Sequence, residues 1–410
     1  MRILILTPYP PYPLRSGGAL RVYHVARGLA ERHEVTLLSF APDAAAVAAM
    51  APLRAWCHVV TVPSPVPRSL AQRALTTLSS SQPDMALRGQ SRAYAEALSR
   101  LVAAESFAVI LAASIEMASY LLPLHGLGPR LVLDQFNAEY LLQRRAALND
   151  LAAALRLRPR ALVGGLYSLL QWRKLARYER MLLQQLDATT VVSEEDRCAL
   201  ARLQPHAAQR LVVVPNGVDT SHVRPGAVRG NRGHATLVFT GTLDYRPNID
   251  ALRWFTAEVL PLICAREPAT RLLIVGRAAG AAVHSLASAT VEIIGEVAEV
   301  APYIDGAAVY IVPMRIGGGS RLKLLEALAM EAPVVSTPLG AEGILGLRDG
   351  EHLLLAAQPQ AFADAVLRLI ADPALGQQLG AAGRAHVVAD YDWRSIMPCF
   401  EQIWRDLALA

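Results

Sequence analysis

The chain has 410 residues, 53% of them hydrophobic and 18% charged, and its formal net charge is +5. This length exceeds what one ordinary hydrophobic core serves, so we expect two domains. The longest apolar stretches fall short of the roughly 18 residues of a membrane span. Four widely spaced cysteines exclude a disulfide scaffold and a cysteine-based metal site. The first apolar run is short and stops at Pro8, unlike a secretion signal, so we expect a cytoplasmic protein.

Short apolar runs typical of buried strands alternate with longer helical patterns along the whole chain. The first set of runs covers residues 2–7, 34–40, 58–62, 108–112, 131–134, 189–192 and 211–214. The second set covers residues 236–240, 271–275, 291–294, 308–312, 333–336 and 352–355. Continuous apolar runs separated by helices indicate parallel sheets covered on both faces. The predicted class is α/β, with a doubly wound parallel sheet formed twice.

A polar segment without periodicity, residues 221–235, separates the two sets and is rich in turn-forming residues, which indicates a linker. We therefore predict an N-terminal domain at 1–220 and a C-terminal domain at 236–390. Residues 391–410 have the apolar spacing of an amphipathic helix. Open parallel sheets bind ligands beyond the carboxyl ends of their strands, so we expect a binding cleft there, between the two domains.

A glycine-rich segment, Gly317–Gly319, follows the run at 308–312 and leads into a helix that we predict to begin at Ser320. The free N–H groups at such a helix start suit a phosphate. Arg321 and Lys323, one of only two lysines in the chain, oppose the helix dipole at a cost of about 0.3–1 kcal/mol each. A bound polyanion would relieve this cost. The alternative is a solvated helix face on which Lys323 pairs with Glu326.

The same segment belongs to a longer series of matches to a known family. The matching residues are 8–13, 16–18, 21–26, 239–248, 273–277, 293–297, 317–329, 333–337 and 340–343. In these residues the chain resembles the retaining GT-B glycosyltransferases of the glycosyltransferase group 1 family, especially bacterial sugar transferases of exopolysaccharide and cell-envelope glycan pathways. The resemblance implies two Rossmann-like domains facing across a cleft, with a C-terminal helix that returns to the N-terminal domain.

The resemblance also implies a role for each matching position. Residues expected to bind the donor diphosphate are Gly17, Gly18, Thr242, Arg246, Gly318, Gly319, Ser320, Arg321 and Lys323. Glu326 matches the glutamate that holds the ribose hydroxyls, although a glutamate on a helix surface is the simpler alternative. Residues expected to border the base are Gly276, Arg277, Gly295, Glu296 and Val297. For Gly17 and Gly18, an ordinary strand-to-helix turn is the alternative.

Two departures from the family pattern concern the donor site. The first glutamate of the family's pair, which contacts the donor sugar, is replaced by Gly318. The family's arginine and lysine after the first strand of the C-terminal domain are not cleanly present, and Thr242 and Arg246 stand in that stretch. We infer that Arg321 and Lys323 take over the cationic role.

The resemblance predicts sugar transfer from a nucleotide-sugar to a glycan or lipid-linked acceptor, in polysaccharide or glycolipid biosynthesis. Transfer would retain the anomeric configuration and need neither metal nor cofactor, with Arg321 and Lys323 stabilising the leaving diphosphate. Glu139 is the best acceptor-side candidate, ahead of Asn137 and His24, and a structural role is the alternative for each of them. Two alternatives stay open: a nucleotide-sugar epimerase of the same fold, and a degenerate GT-B protein that binds without transferring. We expect no nucleic-acid partner.

Two further sequence features carry other interpretations. Asp390–Asp392 resembles a metal-binding Asp-x-Asp motif but precedes the terminal helix, so we predict a capping role. Between residues 143 and 180, nine basic residues stand against two acidic ones. This stretch fits either peripheral attachment to an anionic membrane, on its inner face, or a helical insert with a solvated cationic surface.

Overall fold

The computed structural model describes residues 1–14, 16–155, 159–226, 235–316 and 321–409. The predicted linker at 221–235 therefore lies partly outside the described residues. The chain forms two compact units: Met1–Pro215 together with Met397–Ala410, and Asn216–Ile396. Among the described residues, no helix combines the length and apolar character that crossing a membrane requires.

The first unit contains a seven-stranded sheet in which every pairing is parallel. Its strands are β1 (Arg2–Thr7), β2 (Glu34–Ala41), β3 (His58–Pro63), β4 (Val109–Ala113), β5 (Arg130–Gln135), β6 (Ala188–Val191) and β7 (Leu211–Val213). Their order across the sheet is β3-β2-β1-β4-β5-β6-β7. The central strands β1 and β4 are almost entirely buried, as their continuous apolar runs predict.

Helices connect these strands and cover the sheet. They are α1 (Gly17–Ala30), α2 (Ala44–Ala49), α3 (Leu70–Ser79), α4 (Asp84–Arg88), α5 (Arg92–Ala104), α6 (Glu139–Leu155), α7 (Pro159–Gln185) and α8 (Glu194–Leu203). Ser16 begins α1, because its hydroxyl accepts a hydrogen bond from the Ala19 amide at 3.2 Å. The buried residues of α1, including Val22, Val25 and Leu29, follow the helical period and pack toward the sheet.

The second unit repeats this architecture with six parallel strands in the order β10-β9-β8-β11-β12-β13. The strands are β8 (Thr236–Thr240), β9 (Arg271–Val275), β10 (Val291–Gly295), β11 (Val309–Val312), β12 (Val334–Ser336) and β13 (Leu354–Leu355). Its helices are α9 (Arg246–Trp254), α10 (Leu260–Cys264), α11 (Ala281–His284), α12 (Ala301–Asp305), α13 (Leu322–Ala329), α14 (Pro338–Ala341), α15 (Pro359–Ala371) and α16 (Pro373–Asp390).

The predicted fold class, α/β with two doubly wound parallel sheets, is confirmed. In each sheet the strand order reverses direction once, between β1 and β4 and between β8 and β11. Loops on the two sides of such a point diverge and leave a crevice at the carboxyl edge. Each unit therefore has one place where its own topology favours a ligand.

The terminal helix α17 spans Trp393–Leu409, two residues later than the start predicted from the sequence. The described residues from Met397 onward belong to the first unit. There, Phe400 and Trp404 are fully buried one turn apart, with their rings stacked 6.0 Å apart. This part of α17 thus contributes two buried aromatic side chains to the first unit.

Candidate functional site

In the second unit, the residues of interest follow β8 and β11, the two strands at the reversal of the sheet. The loop after β8 leads into α9, and the segment after β11 leads into α13. Gly317, Gly318, Gly319 and Ser320 lie outside the described residues, so their predicted roles in binding a diphosphate stay predictions.

The helix after the glycine segment begins later than predicted. Its first residue is Leu322, and Arg321 occupies the capping position without a capping bond from its side chain. The prediction that the helix starts at Ser320 was therefore wrong. Lys323 is the second residue of α13, where N–H groups still point out of the helix. Arg321 is buried beside it, so two cations lie at this helix start.

Lys323 extends from α13 toward the end of β8. Its Nζ donates a hydrogen bond to Asn248 Oδ1 at 2.8 Å and lies 4.0 Å from the centroid of the Phe239 ring. The Asn248 amide in turn donates to the carbonyl of Thr242 at 2.7 Å. In the part of the chain that the structure describes, no carboxylate lies within ion-pair distance of this ammonium. The half-buried ammonium therefore contacts a neutral amide and an aromatic face.

The surroundings of Lys323 disfavour its charge. Burial, followed by the repulsion of Arg321, lowers the pKa of Lys323 to about 7, although Glu326 acts in the opposite direction. Burial also raises the pKa of Glu326 to about 7, against the influence of Lys323. The two groups influence each other electrostatically, but the direct Lys323–Glu326 ion pair considered from the sequence is not formed. An incoming anion would restore the ammonium's charge.

The loops after β8, β9 and β10 are joined by backbone hydrogen bonds. The amide of Gly241 donates to the Val275 carbonyl at 3.0 Å, and that of Gly276 donates to the Gly295 carbonyl at 2.8 Å. Gly276 has a φ of 153°, and a Cβ there would lie 1.7 Å from the Gly241 carbonyl oxygen. Only glycine fits this approach between loops.

These bonds bring several predicted positions together. The Leu243 amide, next to Thr242, donates to the carbonyl of Arg277 at 2.8 Å. Arg246 is the exposed first residue of α9. Glu296 is exposed and Val297 half-buried, just beyond β10. The structure thus places Thr242 on a loop that adjoins the loops of the predicted base positions at one edge of the second sheet, and leaves the binding roles as predictions.

In the first unit, Gly17 is the first residue of α1 and Gly18 the second. A Cβ on Gly18 would lie 1.8 Å from the hydroxyl oxygen of Tyr9 and 3.1 Å from the Phe136 ring. A side chain at this position would displace Tyr9 from its observed place. The phosphate role of Gly18 and the alternative of a strand-to-helix turn both stay predictions. His24 lies on the same helix, with its ring 5.1 Å from that of Tyr23.

Glu139 is the first residue of α6, which follows β5. It is buried and accepts a hydrogen bond from the Asn137 amide at 3.1 Å. Burial raises the pKa of Glu139 to about 7. The backbone amides of Glu139 and Tyr140 both donate to the carboxylate of Glu179, at 2.8 and 2.9 Å. Glu179 thus satisfies the free amides at the start of α6 and fixes the position of Glu139.

Sequence reasoning missed Glu179, Glu116 and Asn248. Glu116 follows β4, and burial raises its pKa, as it does that of Glu179. The carboxyl edge of the first sheet therefore carries the buried carboxyl groups of Glu139 and Glu179 and the half-buried one of Glu116. Glu179 and Asn248 contact residues that are distant in sequence, so periodicity and local spacing gave no signal for them.

A second missed feature is a buried ion pair between Arg21 and Asp134. Two guanidinium nitrogens donate to the two carboxylate oxygens at 2.8 and 2.7 Å, and both side chains are 1% exposed. Arg21 also donates to the Pro215 carbonyl, and Thr190 donates to Asp134. The sequence signal for this pair was a charged residue, Asp134, near the end of the apolar strand β5. The pair thus links α1, β5, β6 and Pro215, the last residue of the first segment of this unit.

The Asp390–Asp392 motif has a structural role. The Asp392 carboxylate accepts hydrogen bonds from the amide and guanidinium of Arg394, at 2.8 and 2.9 Å, and from the Thr220 amide at 3.2 Å. These donors, opposed by burial, hold its pKa well below the usual range. The structure thus supports the predicted capping role at the start of α17.

Residues 15–222 match the family described as Glycosyltransferase Family 4, and residues 234–372 match the family described as Glycosyl transferases group 1. The first match alone covers half of the chain. The chain belongs to Glycosyltransferase Family 4. The resemblance stated from the sequence motifs is thereby confirmed.

Curated relatives of this family 4 chain are similar over part of their length. Phosphatidyl-myo-inositol mannosyltransferase of Mycobacterium leprae is 33% identical over 210 residues, which cover 48% of the chain and 54% of the relative. Glycogen synthase of Mycobacterium tuberculosis is 24% identical over 250 residues, 57% of each protein. The chain spans about half the length of the curated relatives it matches.

Solved structures extend the similarity over the whole family 4 chain. Sucrose-phosphate synthase of Thermosynechococcus elongatus superposes with a TM-score of 0.72 at 18% identity, covering 99% of both chains. HepE of Anabaena, solved with UDP-glucose, gives a TM-score of 0.68 at 13% identity and covers 100% of both. At these identities the likeness concerns the fold, and it confirms the GT-B class.

Proposed function

We propose that this protein transfers a sugar from a nucleoside diphosphate sugar to a glycan or lipid-linked acceptor, with retention and without a metal ion. The observation that carries the proposal is Lys323, a half-buried ammonium without a carboxylate partner among the described residues, at the crevice of the second sheet. An ammonium withdrawn from water is retained at a cost unless an anion binds it. A diphosphate supplies that anion.

The chemistry follows from the leaving group. When the bond between the anomeric carbon and the diphosphate breaks, negative charge develops on the leaving oxygens. Lys323 and Arg321 at the start of α13 would stabilise this charge, together with amides of the glycine segment. Glu326, one turn further along α13, would accept hydrogen bonds from the ribose hydroxyls. Since Gly318 replaces the family's first glutamate, the donor sugar would lack one contact.

On the acceptor side we assign Glu139. Burial gives its carboxyl a pKa of about 7, near the pH at which a proton acceptor or donor works best. In the front-face reaction implied by the family resemblance, the leaving phosphate deprotonates the acceptor hydroxyl. Glu139 would orient that hydroxyl by a hydrogen bond.

Thermal-shift measurements with UDP-, GDP-, ADP- and dTDP-sugars test the donor site, beginning with UDP-sugars because HepE was solved with UDP-glucose. Ligand at one hundred times its dissociation constant adds about 2.7 kcal/mol of stability. We expect one nucleotide to raise the melting temperature in wild type and not in Lys323→Ala. A panel without any shift would contradict the proposal and favour a degenerate protein.

Product analysis separates transfer from epimerisation. With the identified donor and a membrane or glycan extract as acceptor, we expect nucleoside diphosphate release only when acceptor is present, and equally in the presence of EDTA. An epimerase would convert the nucleotide-sugar without any acceptor. Loss of turnover in EDTA would overturn the metal-independent mechanism while leaving the transferase assignment intact. NMR of the product bond would report retention or inversion.

A further inference from the structure

Arg315 makes a two-part contact with helix α9 at the carboxyl edge of the second sheet. It follows β11, and its Nε and Nη2 donate to the two carboxylate oxygens of Asp250 at 3.1 and 2.8 Å. The same guanidinium lies 5.7 Å from the centroid of the Trp254 ring, about one helical turn beyond Asp250. A bidentate pair that also stacks on an aromatic ring fixes both the distance and the angle between its partners. We call these three residues the Arg315 clip.

The backbone that carries Arg315 is itself held in place. The carbonyl of Met314 accepts a hydrogen bond from the Thr337 hydroxyl, and the Thr337 amide donates to the Val312 carbonyl at 3.1 Å. Met314 and Ile316, on either side of Arg315, are both buried. The Arg315 side chain is 42% exposed, and ion pairs at the surface contribute little to stability. The clip therefore constrains the orientation of α9 more than it stabilises the fold.

Helix α9 also carries Asn248, the partner of Lys323. Asn248 lies two residues before Asp250 and is buried. The helix has only nine residues, and Tyr245 at its capping position makes no capping bond with its side chain. The orientation of α9 thus depends on the contacts of its side chains. A change in orientation would move the Asn248 amide away from the Lys323 ammonium, 2.8 Å away, and hydrogen bonds weaken steeply as their geometry departs from the ideal.

We propose that Asp250 and Arg315 are positioning residues that hold Asn248, and through it Lys323, in the geometry that receives the donor diphosphate. Arg315 acts through Asp250, and Asp250 acts through helix α9, so neither residue touches the reacting atoms in this role. The inference rests on the proposed function, in which Lys323 binds the diphosphate. It extends that function to two residues outside the donor positions expected from the sequence, and a site held by such supporting contacts binds its ligand with less reorganisation.

The position of Lys323 can be followed by NMR without any ligand, because the chain contains only two lysines. In the full chain labelled with carbon-13 lysine we expect two ε-methylene signals, and Lys323→Arg identifies one of them. The Lys323 ammonium lies 4.0 Å from the centroid of the Phe239 ring, so the ring current makes the adjacent methylene sensitive to small displacements. Asp250→Asn and Arg315→Gln should each move the Lys323 signal and leave that of Lys174, in the first unit, unchanged. Arg315→Lys, which keeps the charge, should move it less.

Calorimetry with the nucleotide-sugar measures the consequence for the donor. Asp250→Asn should weaken donor binding about threefold to tenfold, within the usual range of coupling between residues that share partners. In a Lys323→Ala background the same substitution should have no further effect, because its influence passes through the ammonium. Asp250→Asn/Arg315→Gln should weaken binding no more than Asp250→Asn alone, since either substitution opens the clip.

The matched control is Asp364→Asn, which breaks an exposed ion pair with Arg266 in the same unit. It should change neither the Lys323 signal nor the donor affinity, and melting temperatures near that of wild type establish that each variant folds. A Lys323 signal that does not respond to Asp250→Asn, or that moves equally in the control, would overturn the positioning role. An effect of Asp250→Asn on affinity that persists in Lys323→Ala would overturn it as well. If wild type binds no nucleotide-sugar, the proposed function fails, and the NMR signal still decides whether the clip positions Lys323.

Discussion

A basic side chain near the carboxyl edge of each sheet has partners of a different kind, and Arg21 is fully buried whereas Lys323 is half-buried. Arg21 in the first unit meets both oxygens of Asp134 and a backbone carbonyl. Lys323 in the second unit meets the neutral amide of Asn248 and the ring of Phe239. A fully paired cation is a structural element, whereas a cation whose charge is left uncompensated can receive an anionic ligand. The comparison thus distinguishes a cation that stabilises the fold from a cation that is available to bind a ligand.

The largest effect on stability is expected when the buried ion pair between Arg21 and Asp134 is broken. Asp134→Ala leaves the guanidinium of Arg21 buried without its carboxylate and should lower the free energy of unfolding by about 3–5 kcal/mol. Urea denaturation followed by fluorescence measures this change. Lys323→Met should leave stability near that of wild type, because the substitution removes a half-buried charge that has no carboxylate partner among the described residues.

Replacing both members of the first pair provides the control. Arg21→Met/Asp134→Leu removes both charges and should recover most of the lost stability. If Asp134→Ala and Lys323→Met destabilise the protein equally, the distinction between the two cations fails.

The next largest effect is expected on the affinity for the nucleotide-sugar donor. Lys323→Ala should weaken the binding of the nucleotide-sugar by about 1.5–3 kcal/mol, the usual contribution of a hydrogen bond to a charged group. Isothermal titration calorimetry measures it. Arg266→Ala is a suitable control, because Arg266 pairs with Asp364 on the surface of the same unit. Unchanged affinity in Lys323→Ala would remove the basis of the proposed donor site.

A pH series tests the charge of Lys323 itself. Its pKa of about 7 leaves the amine increasingly neutral as pH rises above 7, while a bound diphosphate favours the ammonium. The contribution of Lys323 to donor affinity should therefore fall by up to about tenfold per pH unit above this pH. A nucleotide-sugar has no titrating phosphate monoester in this range. Lys323→Arg, which stays charged, should abolish the fall. A flat wild-type profile would mean that Lys323 does not bind the diphosphate.

The smallest effect is expected from a substitution that gives Lys323 a carboxylate partner, as Arg21 has in Asp134. Asn248→Asp places a carboxylate where an amide oxygen now lies 2.8 Å from the ammonium. The new ion pair should raise the pKa of Lys323 and weaken donor binding by about 1 kcal/mol, because the carboxylate competes with the diphosphate. Calorimetry near neutral pH measures the affinity. Asn248→Ala tests whether the loss of the amide alone has the same result, and tighter binding in Asn248→Asp would contradict the expected competition.

Much of the fold was predictable because its signals are local. The apolar runs predicted each strand of the described residues to within about two residues of its observed bounds. Their alternation with helices indicated two parallel sheets. The motifs around residues 239–248 and 317–329 indicated the glycosyltransferase family, because each of them is a contiguous stretch of the chain. The candidate donor positions were also found this way, since glycines and cations beside a helix start are adjacent in sequence.

The tertiary structure decided which charges are paired. Arg21 and Asp134 are 113 residues apart, and Lys323 and Asn248 are 75 apart, so no local pattern reveals either contact. The structure also shows that α13 begins at Leu322 and that Leu75 and Leu78 of α3 are exposed to solvent. The sequence by itself determined the elements, their order and the family. Pairing, burial and the resulting proton affinities depend on contacts between distant segments, which form only when the sheets are complete.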